Sequence, residues 1–189
     1  IKLSPQTAFK HEEAVLWCFY EEENIYFVDG TLTLYAYNLY DKTKYYIQDI
    51  QPIVTRNGDI SSIIKHSGDF YIGFAGGGLI RIKNMPAHRN QYQIDDLSFR
   101  SGVLSLYKDR FQDILWIGTD GQGVYRLFNE PSSLAAVLSG SLSASIQSPI
   151  TTIFRDDRKS LWIGSAGNGV VNIHDYDPGR GTGSRSGSF

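Results

Sequence analysis

The 189-residue chain has a single cysteine, Cys18, and a single methionine. One thiol excludes an internal disulfide and any cysteine-cluster metal site. Cys18 lies in the apolar run Val15-Leu16-Trp17-Cys18-Phe19 and is expected to be a buried small hydrophobe. No apolar run approaches the roughly 18 residues of a membrane-spanning helix, and Ile1-Lys2-Leu3-Ser4-Pro5 lacks the basic and apolar regions of a signal peptide. The expectation is that this stretch makes no membrane contact and that any leader or anchor lies outside it. An excess of one charge is also missing. With 18 basic against 20 acidic residues, formal net charge -2 and the basic residues dispersed, there is no footprint for a nucleic-acid backbone. His11, His66, His88 and His174 are scattered without metal-ligand spacing, so neither a metal nor a cofactor is expected.

What is present is apolar and aromatic residue in quantity, 41% and 13%, enough for a sizeable core. It is also repetitive. "LYKDRFQDILWIGTDGQGVYRLF" (106–128) aligns with "TIFRDDRKSLWIGSAGNGVVNI" (152–173) and with "SIIKHSGDFYIGFAGGGLIRI" (62–82). A blurred copy, "LWCFYEEENIYFVDGTLTLYAY" (16–37), keeps Asp29-Gly30 at the turn. The equivalent aromatics Tyr26, Tyr71, Trp116 and Trp162 are spaced 45, 45 and 46 residues apart. Such a period points to a propeller or a helical array.

Strand chemistry decides between these. Each unit opens with a short apolar run: Ala14, Trp17, Cys18; Ile60, Ile63, Ile64; Val103, Leu106, Tyr107; Ile150, Ile153, Phe154. The runs last about five residues, too short for an amphipathic helix, and are rich in β-branched and aromatic types. They read as strands buried on both faces. "FYIG" or "LWIG" follows as a second strand, then a Gly-rich turn and a third strand, "GLIRI", "GVYRL" or "GVVNI". Alternating runs at 44–50 and 91–97 supply a fourth. The expected fold is all-β: four four-stranded antiparallel propeller blades, roughly 10–50, 57–98, 101–148 and 149–178. Residues 129–149 are expected to hold a loop insertion or weak edge strand, residues 1–9 to lend an outer strand to a neighbouring blade, and 179–189 to be a flexible tail or appended remnant.

Several tempting motifs dissolve under the repeat. Gly118, Gly121 and Gly123 imitate a phosphate cradle, but the turn leads into a strand rather than a helix. Gly73, Gly118 and Gly164 fall mid-strand, where an adjoining backbone comes close. Trp116 and Trp162 hold a position that is aromatic in every copy, which assigns them to packing between blades rather than to a sugar platform. Asp109, Asp113, Asp156 and Asp157 occupy the turn between first and second strands, where a short carboxylate bonds its own backbone, so no acid–base pair is read from them. No catalytic residue is expected.

The strings 103–127 and 150–173 closely resemble the two-component regulator propeller repeat, whose pattern runs roughly I-x-x-I-x-x-D-x-x-G-x-L-W-I-G-T-x-x-G-G-L. The match is looser at 60–83, where Tyr71 replaces the tryptophan, and weakest at 14–38. The resemblance implies a segment of the periplasmic sensor region of a hybrid histidine kinase of gut Bacteroides-type bacteria, an inner-membrane receptor that responds to oligosaccharides from polysaccharide breakdown. It implies a non-catalytic segment that is part of a seven-bladed propeller, partnered by further blades of the same protein and carried in a homodimeric receptor. In propellers the turns between second and third strands, and the links entering each first strand, line one end of the funnel. The candidate ligand-binding residues are therefore Arg56, Asn57, Asp59, Arg100, Asp120, Gln122 and Asn168, with Ser101 and Gln147 beside them. The alternative is a protein-interaction or dimerisation scaffold without a small-molecule ligand.

Overall fold

In a computed structural model of the chain, residues 9–84, 92–128, 135–136, 147–174 and 185–188 are described. The chain divides into two compact units, 1–55 and 56–189.

The first unit holds one four-stranded antiparallel sheet, β1 (Val15–Glu21), β2 (Asn24–Asp29), β3 (Thr33–Asn38) and β4 (Lys44–Asp49), paired in that order. Asp29 closes the turn between β2 and β3. One carboxylate oxygen accepts from the Thr31 and Thr33 amides and the Thr31 hydroxyl, and the other meets His11 Nε2 at 2.9 Å. Burial pushes the Asp29 carboxyl up, but the Thr31 hydroxyl, His11 and the two amides together hold it below the ordinary carboxylate range. Cys18 is exposed, against expectation. Its strand buries neither face fully: Val15, Leu16 and Tyr20 are 44%, 53% and 65% exposed.

A helix that the sequence pattern did not announce, α1 (Gln51–Asn57), follows β4. Its first turn is set by Asp49, which accepts the Gln51 amide, so the link before the second blade winds instead of running extended.

The second unit stacks three sheets of the same plan. They are β5 (Ile60–His66), β6 (Asp69–Phe74), β7 (Leu79–Asn84) and β8 (Tyr92–Asp96); β9 (Val103–Lys108), β10 (Leu115–Thr119), β11 (Val124–Leu127) and β12 (Ala135–Ala136); β13 (Ile150–Arg155), β14 (Leu161–Ser165), β15 (Gly169–Ile173) and β16 (Arg185–Ser188). The weak edge strand expected within 129–149 is the two-residue β12, paired with Tyr125 and Arg126. Part of the expected tail is structured: residues 185–188 pair with β15 and complete the last sheet. An edge strand left with unpaired backbone groups recruits whatever extended segment can reach it. The outer strand expected from residues 1–9 lies, apart from Phe9, outside the described residues, as does His88.

Two cores lie between successive sheets. Tyr71, Leu79, Phe99, Val103, Leu115, Ile117 and Leu127 fill the space between the first and second sheets of this unit. Ile114, Trp116, Val124, Ile150, Ile153, Leu161, Ile163 and Ile173 fill the space between the second and third, with Tyr107 packed against them. Trp116 is fully buried, as packing between blades requires, and donates its indole N–H to Asp109 at 2.9 Å. Asp109 also accepts the Phe111 and Gln112 amides and pairs with the buried Arg155 of the next blade at 3.1 Å. Asp156 repeats the arrangement, accepting the Arg158 and Ser160 amides and the Trp162 indole at 2.9 Å. The indole bond, stronger than the opposing effect of burial, holds the Asp156 carboxyl below its usual range, helped by the Ser160 and Arg158 amides and the Arg158 charge.

The joints follow one rule. A Cβ on Gly73 would strike the Val103 side chain of the following blade, at 2.9 Å from Val103 Cβ, and one on Gly118 would sit 2.7 Å from Ile150 Cγ2 and 2.9 Å from the Ile150 carbonyl. The glycine leaves a hole, and the β-branched residue opening the next blade fills it. A serine of the preceding first strand adds a bond to the incoming backbone: Ser61 donates to the Val103 carbonyl and Ser105 to that of Ile150 at 3.1 Å. The reading of first strands as buried on both faces fails at β13, where Thr151, Thr152 and Phe154 are exposed.

Candidate functional site

Every blade closes its second strand in the same way. The residue after that strand donates its amide to the carbonyl just before the first strand: Gly30 to Ala14 at 2.7 Å, Ala75 to Asp59 at 3.2 Å, Asp120 to Gly102 at 2.9 Å and Ala166 to Pro149 at 2.9 Å. In the second unit, turns and links are chained further, because the Gly78 amide reaches the Ser101 carbonyl of the next blade at 3.3 Å. The polar residues expected at one end of the propeller are thereby collected on a common rim.

One stretch of that rim is concave. An open cavity of about 450 Å³ is lined by Asn57, Gly76, Gly77, Gly78, Asp96, Ser98, Phe99 and Arg100. Gly77 and Gly78 adopt φ of 120° and 116°, which L side chains rarely do, and a Cβ on Gly77 would lie 3.1 Å from the Arg100 carbonyl. Only glycine leaves this wall bare backbone. Phe99 is 9% exposed, held edge-on by Tyr125 at 5.0 Å, and anchors this wall in the core between the sheets. Asp96 accepts the Ser98 amide at 2.8 Å and the Arg56 guanidinium at 2.9 Å. Its carboxylate is thus occupied in shaping the link, and the cavity is otherwise lined by the exposed Arg100, the half-buried Asn57 and the glycine backbone. Such a set can orient hydroxyls and carboxylates by hydrogen bonding and charge; it has no nucleophile placed beside a base.

Of the seven sequence candidates, Asn57 and Arg100 meet in this cavity. Arg56 stands at its edge, turned to Asp96. Asp59 contributes its carbonyl to the blade closure. Asp120, Gln122 and Asn168 are exposed at the tips of their turns, along the rim but not lining the cavity. Ser101 is buried and Gln147 exposed on the link entering β13. Asp96, Ser98 and Phe99 were missed; the signal was Asp96-Leu97-Ser98, the Asp-x-Ser of an Asx turn. A second hollow, about 340 Å³, belongs to the first unit and is lined by Lys10, His11, Glu12, Glu13, Asp29, Thr31, Tyr35 and Lys44. Among the described residues no group of three or more His, Cys, Asp or Glu is placed to hold a metal ion.

No protein-family model and no curated protein matches the chain. Solved structures do. The extracellular domain of the putative hybrid two component system BT4673 from B. thetaiotaomicron superposes with a TM-score of 0.59 at 21% identity over 93% of this chain and 22% of that one. The corresponding domain of BT3049 gives 0.54 at 21% identity, over 87% of this chain and 20% of its own. YCF48 from Cyanidioschyzon merolae gives 0.59 at 14% identity, over 97% and 63%. The chain is built of β-propeller blades. It spans about a fifth of the length of the two extracellular domains it matches. Among the described residues no helix is long and apolar enough to cross a membrane.

Proposed function

We propose that this chain is a non-catalytic segment of the periplasmic sensor region of a hybrid two-component receptor of the propeller-repeat family, and that it takes part in recognising an oligosaccharide. The reading rests on one observation above others: the rim cavity lined by Asn57, Arg100, Phe99 and bare glycine backbone, on a fold shared with the extracellular domains of two hybrid two-component systems. A guanidinium and a carboxamide in one cavity wall suit a sugar acid and its hydroxyls. The remaining blades of a seven-bladed propeller, the membrane anchor and the histidine kinase that acts on the signal belong to other parts of the receptor.

Calorimetric titration with a panel of neutral and uronic-acid oligosaccharides tests this. The expected result is saturable binding by at least one acidic sugar, weakened tenfold or more by Arg100→Ala and by Asn57→Ala. Absence of binding by any sugar, together with stable binding of a protein partner, replaces the sensor reading with the scaffold one. The exposed apolar residues on β1, β13 and β15 are the observation that supports the scaffold.

A further inference from the structure

The turns between second and third strands in the second unit correspond residue for residue, because Ala75, Asp120 and Ala166 each close their blade by the same amide bond. The residue that follows is glycine in all three: Gly76, Gly121 and Gly167. In two of them the backbone demands it, since Gly121 and Gly167 hold φ of 80° and 112°. Gly76 does not share that need, and its φ is negative. Its turn closes differently. The Gly77 amide bonds the Phe74 carbonyl at 3.1 Å, which makes 74–77 a β-turn with Gly76 as its third residue, whereas in the next blade the Gly121 amide bonds the Thr119 carbonyl at 3.2 Å. A β-turn with negative φ at the third residue accepts most side chains.

Space does not require a glycine there either. Among the described residues a Cβ on Gly76 would meet only the Asn57 carbonyl oxygen, at 3.6 Å, an ordinary contact. Gly77 and Gly78 differ: they hold φ of 120° and 116°, and Cβ atoms on them would lie 3.1 Å from the Arg100 carbonyl and 3.4 Å from Asn57 Oδ1. In the following turns an exposed side chain, Gln122 or Asn168, stands between the two glycines. Residues 76–78 carry none, and Gly76 is exposed main chain on the wall of the rim cavity. Among the described residues no protein group bonds its amide or its carbonyl. The link that completes the cavity is fixed: the Leu97 amide bonds the Leu79 carbonyl at 3.0 Å, Asp96 holds Ser98 at a φ of 53°, and Phe99 is buried. Gly77 and Gly78 serve the turn; Gly76 leaves a donor and an acceptor bare in a preformed site.

We propose that Gly76 determines what the rim cavity accepts: a ring hydroxyl of an acidic sugar bonds the Gly76 main chain, and the missing side chain gives the clearance for that approach. The inference rests on the sugar-binding reading above and adds the residue that sets the fit. A hydroxyl both donates and accepts, so it can meet the amide or the carbonyl. Main-chain groups held by a preformed turn lose no side-chain freedom on binding, so they add selectivity at little entropic cost.

Calorimetry and thermal unfolding of Gly76→Ala, Gly76→Ser and Gly77→Ala proteins, with galacturonate and glucuronate oligosaccharides as probes, test this. Both Gly76 variants should keep the Tm of the unmodified chain and bind its preferred probe at least tenfold more weakly. Gly77→Ala, at a glycine the fold requires, should lower the Tm. In two-dimensional NMR spectra with selective glycine labelling, the amide signal that Gly76→Ala removes should shift when the unmodified chain is saturated with that probe, and the Gly121 signal should stay in place. Full affinity in the Gly76 variants, a fall in their Tm equal to that of Gly77→Ala, or an unmoved Gly76 amide overturns the inference and leaves the sugar reading standing. Failure of the unmodified chain to bind any of these probes overturns both.

Discussion

Trp116 and Trp162 hold the same place in successive blades, and both give their indole N–H to an aspartate of the preceding turn at 2.9 Å. Their surroundings differ. Trp116 is fully buried under the next blade, while Trp162 is half-buried and carries Phe154 flat against it. The aspartate–indole bond is therefore made inside a blade, and burial is added only by a neighbour. A repeated motif reports its own hairpin faithfully; it does not report whether its outer face is covered.

The comparison can be broken most severely at Arg155, whose guanidinium bonds Asp109 across the covered joint. Arg155→Ala leaves Asp109 buried without its cation and should cost about 3–5 kcal/mol in denaturant unfolding, whereas Arg158→Ala, exposed beside Asp156, should cost less than about 0.5 kcal/mol. Next in size is Gly118→Ala. Its methyl meets the Ile150 backbone as well as side chains, and a loss of about 1–3 kcal/mol is expected by thermal unfolding. Substituting each tryptophan by phenylalanine sharpens the contrast, since Trp116→Phe orphans a buried carboxylate oxygen, about 1–3 kcal/mol, and Trp162→Phe a more accessible one, with a smaller loss.

Acid unfolding gives the mildest probe. Asp29 and Asp156 both titrate below the ordinary carboxylate value in the folded chain, so their contribution is fully present above the unfolded pKa near about 4 and is lost as pH falls through the lower folded values. Stability measured from pH 6 down to pH 2 should decline across that window. Trp162→Phe should flatten the decline, because it removes the bond that holds Asp156 down.

Much of the fold was legible because the signal repeats. The three second strands, the aspartate turns and the mid-strand glycines recur at fixed spacing, and each recurrence pointed to a local need that the structure meets. The opening residue of the first blade was displaced by one, to Val15 from Ala14, because Ala14, Val15 and Leu16 are all apolar and a pattern of types does not choose among them. Cys18 was misplaced for a related reason. Its apolar run matches that of Ile153, which is buried by the blade before it, and composition cannot say that Val15 and Cys18 lack such a cover. The structured strand at 185–188 was missed because glycine and serine carry no periodic face, and its pairing with β15 comes through the backbone. At the rim, the position of Asn57 and Arg100 beside the cavity was legible from their place in the links alone, while Phe99 lines it from the core, where an aromatic between strands carries no sign of a cavity.

The glycine and the β-branched residue have a consequence for how such a chain can arise. In the second unit each sheet carries a mid-strand glycine on one side and opens with a β-branched residue on the other, so a duplicated copy of such a blade brings both halves of the joint with it. Lengthening by tandem duplication needs no new surface to be invented. What mutation then alters freely is the rim, where side chains at the tips of turns are tied to neither joint.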